Sequence, residues 1–95
     1  MSKDDHFIIA IRDNKNRLLD FERFKLKTAK GSYKSFLKFV NCYKIEQYEK
    51  GYNTYKEIEK PYKIVVTYQE YDPAKETIIF EKTYDSFLKD LKEYK

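Results

Sequence analysis

The chain has little of what most catalytic and cofactor-binding sites are built from. Its 95 residues include two glycines, two prolines, one cysteine, one histidine and no tryptophan. Two glycines, Gly31 and Gly51, cannot form a glycine-rich phosphate loop or a nucleotide fingerprint. One cysteine, Cys42, excludes an intramolecular disulfide, and a lone His6 does not provide a zinc-ligand spacing. We therefore expect no enzymatic activity, no cofactor and no metal site.

Long hydrophobic runs are also absent from the sequence. No apolar stretch approaches the ~20 residues that a membrane-spanning helix needs, and the first residues show no signal-peptide pattern. A chain with a single cysteine fits a reducing compartment, so we expect a cytoplasmic protein without a membrane partner. Ninety-five residues support one hydrophobic core, which predicts a single domain over 1–95.

Aromatic and lysine residues are abundant instead. The chain has ten Tyr, seven Phe and seventeen Lys, but three Arg. This composition is typical of AT-rich coding sequence and suggests a low-GC genome, its phage or a mobile element. The net charge of +4 is uneven, because between Arg23 and Lys44 there are seven basic residues and no acidic one. Such a stretch attracts polyanions or acidic protein surfaces.

Two parts of the chain resemble each other. Residues 32–38 and 83–89 are identical at five of seven positions, at an offset of 51 residues. Residues 13–16 and 18–23 match 72–75 and 77–82 more weakly, at an offset of 59. The pattern predicts a duplicated ββα unit, with repeat 1 at about 6–45, a connector at 46–61 and repeat 2 at about 62–95. Eight extra residues in the first copy, 24–31, account for the change of offset.

Alternating hydrophobicity predicts the strands. The first strand directs three side chains toward the core, Phe7, Ile9 and Ile11. In the returning strand, Leu19 and Phe21 share a face and the later apolar residues have the opposite phase, so we expect a β-bulge or bend near Glu22 and Arg23. A third strand over 62–71 has one apolar face formed by Ile64, Val66 and Tyr68. A type I turn beginning at Asp72 leads to the fourth strand over 76–83.

Helical periodicity predicts two longer helices. The first begins with Ser32 as N-cap after a connector at 27–31, extends to Lys50 with Gly51 as C′ residue, and has one apolar stripe: Tyr33, Phe36, Leu37 and Val40. The second begins at Asp85, and its stripe contains Phe87, Leu88, Leu91 and Tyr94. Residues 54–60 form either a short helix or an edge strand.

These elements together predict an α+β two-layer sandwich. Its four-stranded antiparallel sheet has two helices on one face, related by a pseudo-twofold axis. The other face is expected to carry a polar set that is open to solvent or a partner: Ala10, Arg12, Lys63, Thr67 and Gln69.

The entry to the first helix has features of an anion site. Lysines at 27, 30 and 34 surround a glycine and a Ser N-cap, and free backbone N–H groups at a helix N-terminus suit a phosphate. The spacing is not that of a Walker A loop, so nucleotide hydrolysis is not implied. The alternative is an ordinary capped helix start in a lysine-rich protein.

Two functional hypotheses follow from these features. The first is a small non-enzymatic inhibitor or adaptor, phage- or mobile-element-encoded, that docks a basic aromatic-rich face on a host protein or nucleoprotein complex that handles nucleic acid. The second is direct nucleic-acid binding through residues 23–44, with lysines on phosphates and aromatics stacked on bases. A homodimer is compatible with either hypothesis. Both use the same partner-binding residues: Arg23, Lys25, Lys27, Lys30, Lys34, Lys38, Tyr33 and Tyr43.

Overall fold

The computed structural model describes residues 4–45, 61–71 and 73–94. They form six elements: β1 (His6–Arg12), β2 (Leu18–Phe24), α1 (Ala29–Tyr43), β3 (Lys63–Tyr71), β4 (Ala74–Thr83) and α2 (Tyr84–Tyr94). The strands make one antiparallel sheet in the order β2-β1-β3-β4. The predicted α+β fold is confirmed, with a four-stranded antiparallel sheet and two helices. Duplication of a ββα unit stays a prediction.

The core lies between the two helices and one face of the sheet. Side chains alternate across a strand, so β1 and β3 each direct every second residue to this face. All eleven members of the main cluster are buried: Phe7, Ile9, Ile11, Tyr33, Phe36, Leu37, Val40, Ile64, Val66, Phe87 and Leu91. The predicted inward faces of the first and third strands and the predicted stripe of α1 are therefore confirmed. In α2, Phe87 and Leu91 are buried, whereas Tyr94 is largely exposed.

Each outer strand carries a β-bulge. The β1–β2 register shifts between Ile11 and Arg12, which leaves Leu19 as the extra residue. The β3–β4 register shifts in the same way between Val66 and Thr67, and Ile79 is the extra residue there. The expected bulge near residues 22–23 is therefore wrong in position, since it lies about three residues earlier. Because of this placement Phe21 does not share a face with Leu19.

The β1–β2 turn is organised by a buried carboxylate. Asp13 accepts hydrogen bonds from the backbone N–H groups of Lys15 and Arg17 and from Arg17 Nε, at 2.8–2.9 Å. Burial favours a higher pKa for Asp13, but these hydrogen bonds outweigh it and the pKa lies below its usual value. Asn16 has φ of 65°, a conformation that Asn tolerates better than most residues. The predicted turn at 13–16 is confirmed.

Helix α1 begins earlier than the sequence suggests. Thr28 is the N-cap, and its Oγ1 accepts a hydrogen bond of 2.9 Å from the Gly31 N–H. Ser32, the expected N-cap, lies inside the helix and donates its hydroxyl to the Thr28 carbonyl. A Cβ on Gly31 would lie 2.8 Å from Thr28 Oγ1, so the glycine leaves room for the cap. The expected connector at 27–31 is therefore mostly the first turn of α1.

The other helix boundaries also differ from expectation. Helix α1 ends at Tyr43 with Lys44 as C-cap, so it does not extend unbroken to residue 50. Helix α2 begins at Tyr84, and Thr83 Oγ1 accepts a hydrogen bond from the Ser86 N–H. The predictions for Gly51, for residues 54–60 and for the turn at Asp72 fall outside the described residues. No helix in the described part of the chain is long and apolar enough to cross a membrane.

Candidate functional site

The eight sequence-predicted site residues do not form one face. Arg23 lies on β2 and points away from the helices, since its neighbour Phe24 packs against the core. Lys25 and Lys27 are exposed in the link between β2 and α1. Tyr43 is 78% exposed, but it lies nine residues after Lys34, about 2.5 helical turns, and therefore on the opposite side of α1. The basic aromatic face expected from the sequence is divided among separate surfaces.

Lys30, Lys34 and Lys38 form a continuous row. They are spaced by four residues along α1 and are all exposed, so they lie on one side of the helix. We call them the lysine row. Within residues 4–45, 61–71 and 73–94, no ion pair neutralises any of the three. Helix α1 also contains no acidic residue, so no carboxylate of its own offsets the positive charge of this flank.

The lysine row borders an open groove between α1, α2 and β4. We call it the α1–α2 groove. Its volume is about 610 Å³, enough for several side chains of a partner, and it is lined by Lys30, Tyr33, Lys34, Leu37, Phe80, Lys82, Asp90, Glu93 and Tyr94. Leu37 and Phe80 form an apolar floor, and Tyr94, which is 41% exposed, forms part of the far wall. The groove therefore combines apolar surface with charge of both signs.

A polar contact inside the groove joins three elements. The Tyr33 hydroxyl of α1 donates a 2.7 Å hydrogen bond to Asp90 Oδ2 of α2. Lys82 of β4 donates its ammonium to the same oxygen and lies 4.9 Å from the centre of the Tyr33 ring. Tyr33 is buried, so its ring has no free face on which a nucleic-acid base could stack. Lys82 is neutralised locally by Asp90.

The pKa values within this contact reflect its geometry. Burial raises the pKa of the Tyr33 hydroxyl well above its usual value, and the hydrogen bond to the Asp90 carboxylate raises it further. Burial also favours a higher pKa for Asp90, but the hydrogen bonds from Lys82 and Tyr33 outweigh it, and the pKa of Asp90 is lowered. At neutral pH the contact is therefore a neutral tyrosine, a carboxylate and an ammonium.

The two walls of the groove differ in charge. Lys30 and Lys34 on the α1 wall are supplemented by the positive N-terminal end of the α1 dipole. The α2 wall presents Glu93, whereas the carboxylate of Asp90 is paired with Lys82. This arrangement suits a ligand with acidic groups on one side only. A uniform polyanion would meet the Glu93 carboxylate across the groove.

The predicted phosphate site changes with the new helix start. Thr28 Oγ1 accepts the hydrogen bond of the Gly31 N–H, and the Ser32 N–H donates to the Thr28 carbonyl as part of the helix. The backbone groups that were expected to receive a phosphate at residues 31–32 are therefore already bonded. Lys30 and Lys34 instead belong to the groove.

The sheet face away from α1 and α2, here called the outer face, has the predicted residues Ala10, Arg12, Lys63, Thr67 and Gln69, as the strand pairings require. The expectation that this set is open to solvent is wrong for Ala10 and Thr67, which are 4% and 5% exposed. The outer face also has an exposed apolar pair on the outer strands, Phe21 at 39% and Ile78 at 60%. The bulges place both side chains there, and a simple alternation pattern does not reveal them.

Other chemistry is not assembled in the described structure. Cys42 is exposed on α1, and His6 is buried at the start of β1 with its Nδ1 2.7 Å from the Asp4 carbonyl oxygen. Among residues 4–45, 61–71 and 73–94, no group of three His, Cys, Asp or Glu side chains is positioned to hold a metal ion. In comparisons with known proteins, no family model, curated protein or solved structure matches this chain.

Proposed function

We propose that this chain is a non-enzymatic protein-binding inhibitor or adaptor that docks the lysine row and the α1–α2 groove on an acidic protein surface. We propose further that its target is a protein or nucleoprotein complex that handles nucleic acid. The lysine- and tyrosine-rich composition suits a phage or mobile-element protein from a low-GC genome.

The observation that carries this proposal is the lysine row, which has no ion-pair partner among the described residues, beside an apolar floor. The half-buried Phe80 and the exposed part of Tyr94 offer apolar area, which drives protein association, and the lysines supply steering and selectivity. Exposed charges that have no partner within the described part of the chain retain their capacity to interact with another protein. The combination is typical of a docking surface, where an apolar centre is bordered by polar side chains.

Direct nucleic-acid binding is the second candidate. It is favoured by the acid-free α1 helix and by Lys27 just before its N-terminus. Three features support a protein partner more strongly. Glu93 lies in the same groove and repels phosphates, Tyr33 is buried, and Tyr43 lies on the far side of the helix from the lysines.

The experiment is an affinity purification of the tagged full chain from low-GC bacterial lysate, with and without nuclease treatment. We expect one stoichiometric protein partner in both samples. The variant Lys30→Glu/Lys34→Glu should lose it. The control Lys15→Glu/Lys75→Glu, which makes the same charge change at exposed lysines outside the groove, should retain it. Nucleic acid recovered without nuclease, with no protein left after digestion, would instead identify a nucleic-acid-binding module.

A further inference from the structure

We infer that the occupant of the α1–α2 groove is an acidic amphipathic helix of the partner, with carboxylates spaced by four residues. This inference rests on the proposed function and specifies the ligand of the same groove. It follows from the charge, the shape and the asymmetry of the groove.

Charge sets the first requirement. Lys82 already has a carboxylate partner in Asp90, whereas Lys30 and Lys34 have none within the described residues. These two lysines are four residues apart on one helix, a rise of about 6 Å. A second helix lying along α1 repeats the same rise between its residues i and i+4. Glu or Asp at these two positions can therefore meet Lys30 and Lys34 at the same time.

The apolar floor sets the second requirement. The half-buried Phe80 lines the same groove as the two lysines, and Tyr94 adds exposed apolar surface from α2, so the side of the ligand next to its carboxylates must be apolar. A helix presents such a stripe at i, i+3, i+4 and i+7, and binding of its apolar side in a groove between two helices is a common recognition mode. An extended acidic segment would place alternate side chains away from the floor.

The far wall sets the third requirement. Glu93 lines the groove from α2, whereas the Asp90 carboxylate is already paired with Lys82. A ligand with acidic residues on both sides of its apolar stripe would place carboxylates against Glu93, and like charges so placed disfavour binding. The ligand is therefore acidic on the α1 side and neutral or basic on the α2 side.

The test uses three fluorescein-labelled helical peptides of about 15 residues with a shared apolar stripe. They carry Glu, Gln or Lys at the two positions that face Lys30 and Lys34, and binding is followed by fluorescence anisotropy. We expect the Glu peptide to bind roughly fivefold tighter than the Gln peptide and at least about tenfold tighter than the Lys peptide, as two partly exposed ion pairs imply. Moving the two Glu residues to the α2 side of the stripe should remove the advantage.

Charge exchange provides the decisive comparison. Lys30→Glu/Lys34→Glu should reverse the preference so that the Lys peptide binds best, whereas Lys15→Glu/Lys75→Glu should leave the order of the peptides unchanged. Lys30→Gln/Lys34→Gln should abolish the preference without adding repulsion. Far-UV circular dichroism and urea midpoints confirm that each variant is folded before its binding is interpreted.

Two results would overturn the inference. One is an equal change in preference from the control charge reversals, because net charge alone would then explain binding. The other is equal binding of the Glu peptide and a non-helical acidic peptide of the same charge. If either occurs while the affinity purification still recovers a nuclease-resistant partner, the proposed function survives and only the helical ligand is wrong. If no protein partner is recovered, the proposed function itself fails.

Discussion

Replacing Tyr33 by phenylalanine removes one hydroxyl from the contact that joins α1, α2 and β4. That hydroxyl donates a 2.7 Å hydrogen bond to the Asp90 carboxylate, and hydrogen bonds to charged groups contribute about 1.5–3 kcal/mol. The Asp90 side chain is 24% exposed and keeps Lys82 and water as partners, so the loss lies at the lower end, about 1.5 kcal/mol. For a domain of this size, that loss lowers Tm by about 6–12 °C.

The assay is urea denaturation of four proteins: wild type, Tyr33→Phe, Asp90→Ala and the double variant. If the hydrogen bond accounts for the loss, Tyr33→Phe should cost little in the Asp90→Ala background, and the coupling free energy should be about 1 kcal/mol. Tyr43→Phe is the matched control, because Tyr43 is exposed on the other side of α1 and its replacement should change stability little. An equal loss from Tyr33→Phe in both backgrounds would refute the assigned contact.

The pH dependence of the same variant follows from the two shifted groups. The pKa of Asp90 is lower in the folded state, so its contribution is present above the usual Asp value of about 3.9 and is lost as pH falls through the folded pKa. The pKa of Tyr33 is raised, so its contribution is present below about pH 10 and is lost as pH increases, because the unfolded tyrosine ionises first. Tyr33→Phe should therefore approach wild type in stability at acidic pH, and the deficit of the variant should also shrink as the pH rises above about 10.

Three other predictions concern the fold. Burial raises the pKa of Tyr84 to about 12, so Tyr84→Phe should reduce the loss of stability that urea midpoints show above about pH 10; an unchanged slope would contradict this. Thr28→Ala should lower the free energy of unfolding by about 1 kcal/mol, because the helix loses its N-cap. Gly31→Ala should destabilise the wild type, where the new Cβ meets the Thr28 hydroxyl, but stabilise the Thr28→Ala variant. Destabilisation in both backgrounds would argue against this clash. Phe36→Ala should lower the free energy of unfolding by about 3–5 kcal/mol, because this ring is in the core. Phe21→Ala should lower it by less than about 1.5 kcal/mol, because this ring is on the outer face. Similar losses would show that the two faces of the sheet are misassigned.

Much of the fold could be predicted because the central strands follow simple alternation. Alternation identifies the residues on the inner faces of the two central strands. They are Phe7, Ile9 and Ile11 in β1, and Ile64, Val66 and Tyr68 in β3. The apolar spacing of α1 likewise identifies its buried side. Each of these elements keeps a single hydrophobic period along its length, two residues in a strand and about 3.6 in a helix, and the tertiary structure does not interrupt it.

The outer strands could not be predicted in the same detail. A change of phase in β2 shows that a bulge exists, but any residue between the two phases can be the extra one. The structure places it at Leu19, where the register with β1 shifts. Phe21 then points to the outer face, not toward the core. The bulge at Ile79 likewise places Ile78 on the outer face. Because the position of each bulge is uncertain by one residue in the sequence, the exposure of Phe21 and Ile78 could not be predicted.

The bulges also bear on self-association. Both lie on edge strands, β2 and β4, which are the strands that another sheet could pair with. A bulge interrupts the row of backbone groups and increases the local twist, which disfavours edge-to-edge pairing. A homodimer stays a prediction, and the two bulges disfavour the route in which two sheets pair at their edges.

The lysine row owes its form to the part of the sequence in which the two similar segments differ. Tyr33 matches Tyr84 at the offset of 51 residues, yet α1 begins four residues before Tyr33 and α2 begins at Tyr84 itself. The additional residues make one more turn of α1 and bring Lys30 into line with Lys34. At the position of Lys34, α2 has Asp85. The basic wall of the groove therefore depends on a turn and a charge that α2 lacks, which argues that α1 supplies the binding surface and that the two helices do not have equal roles.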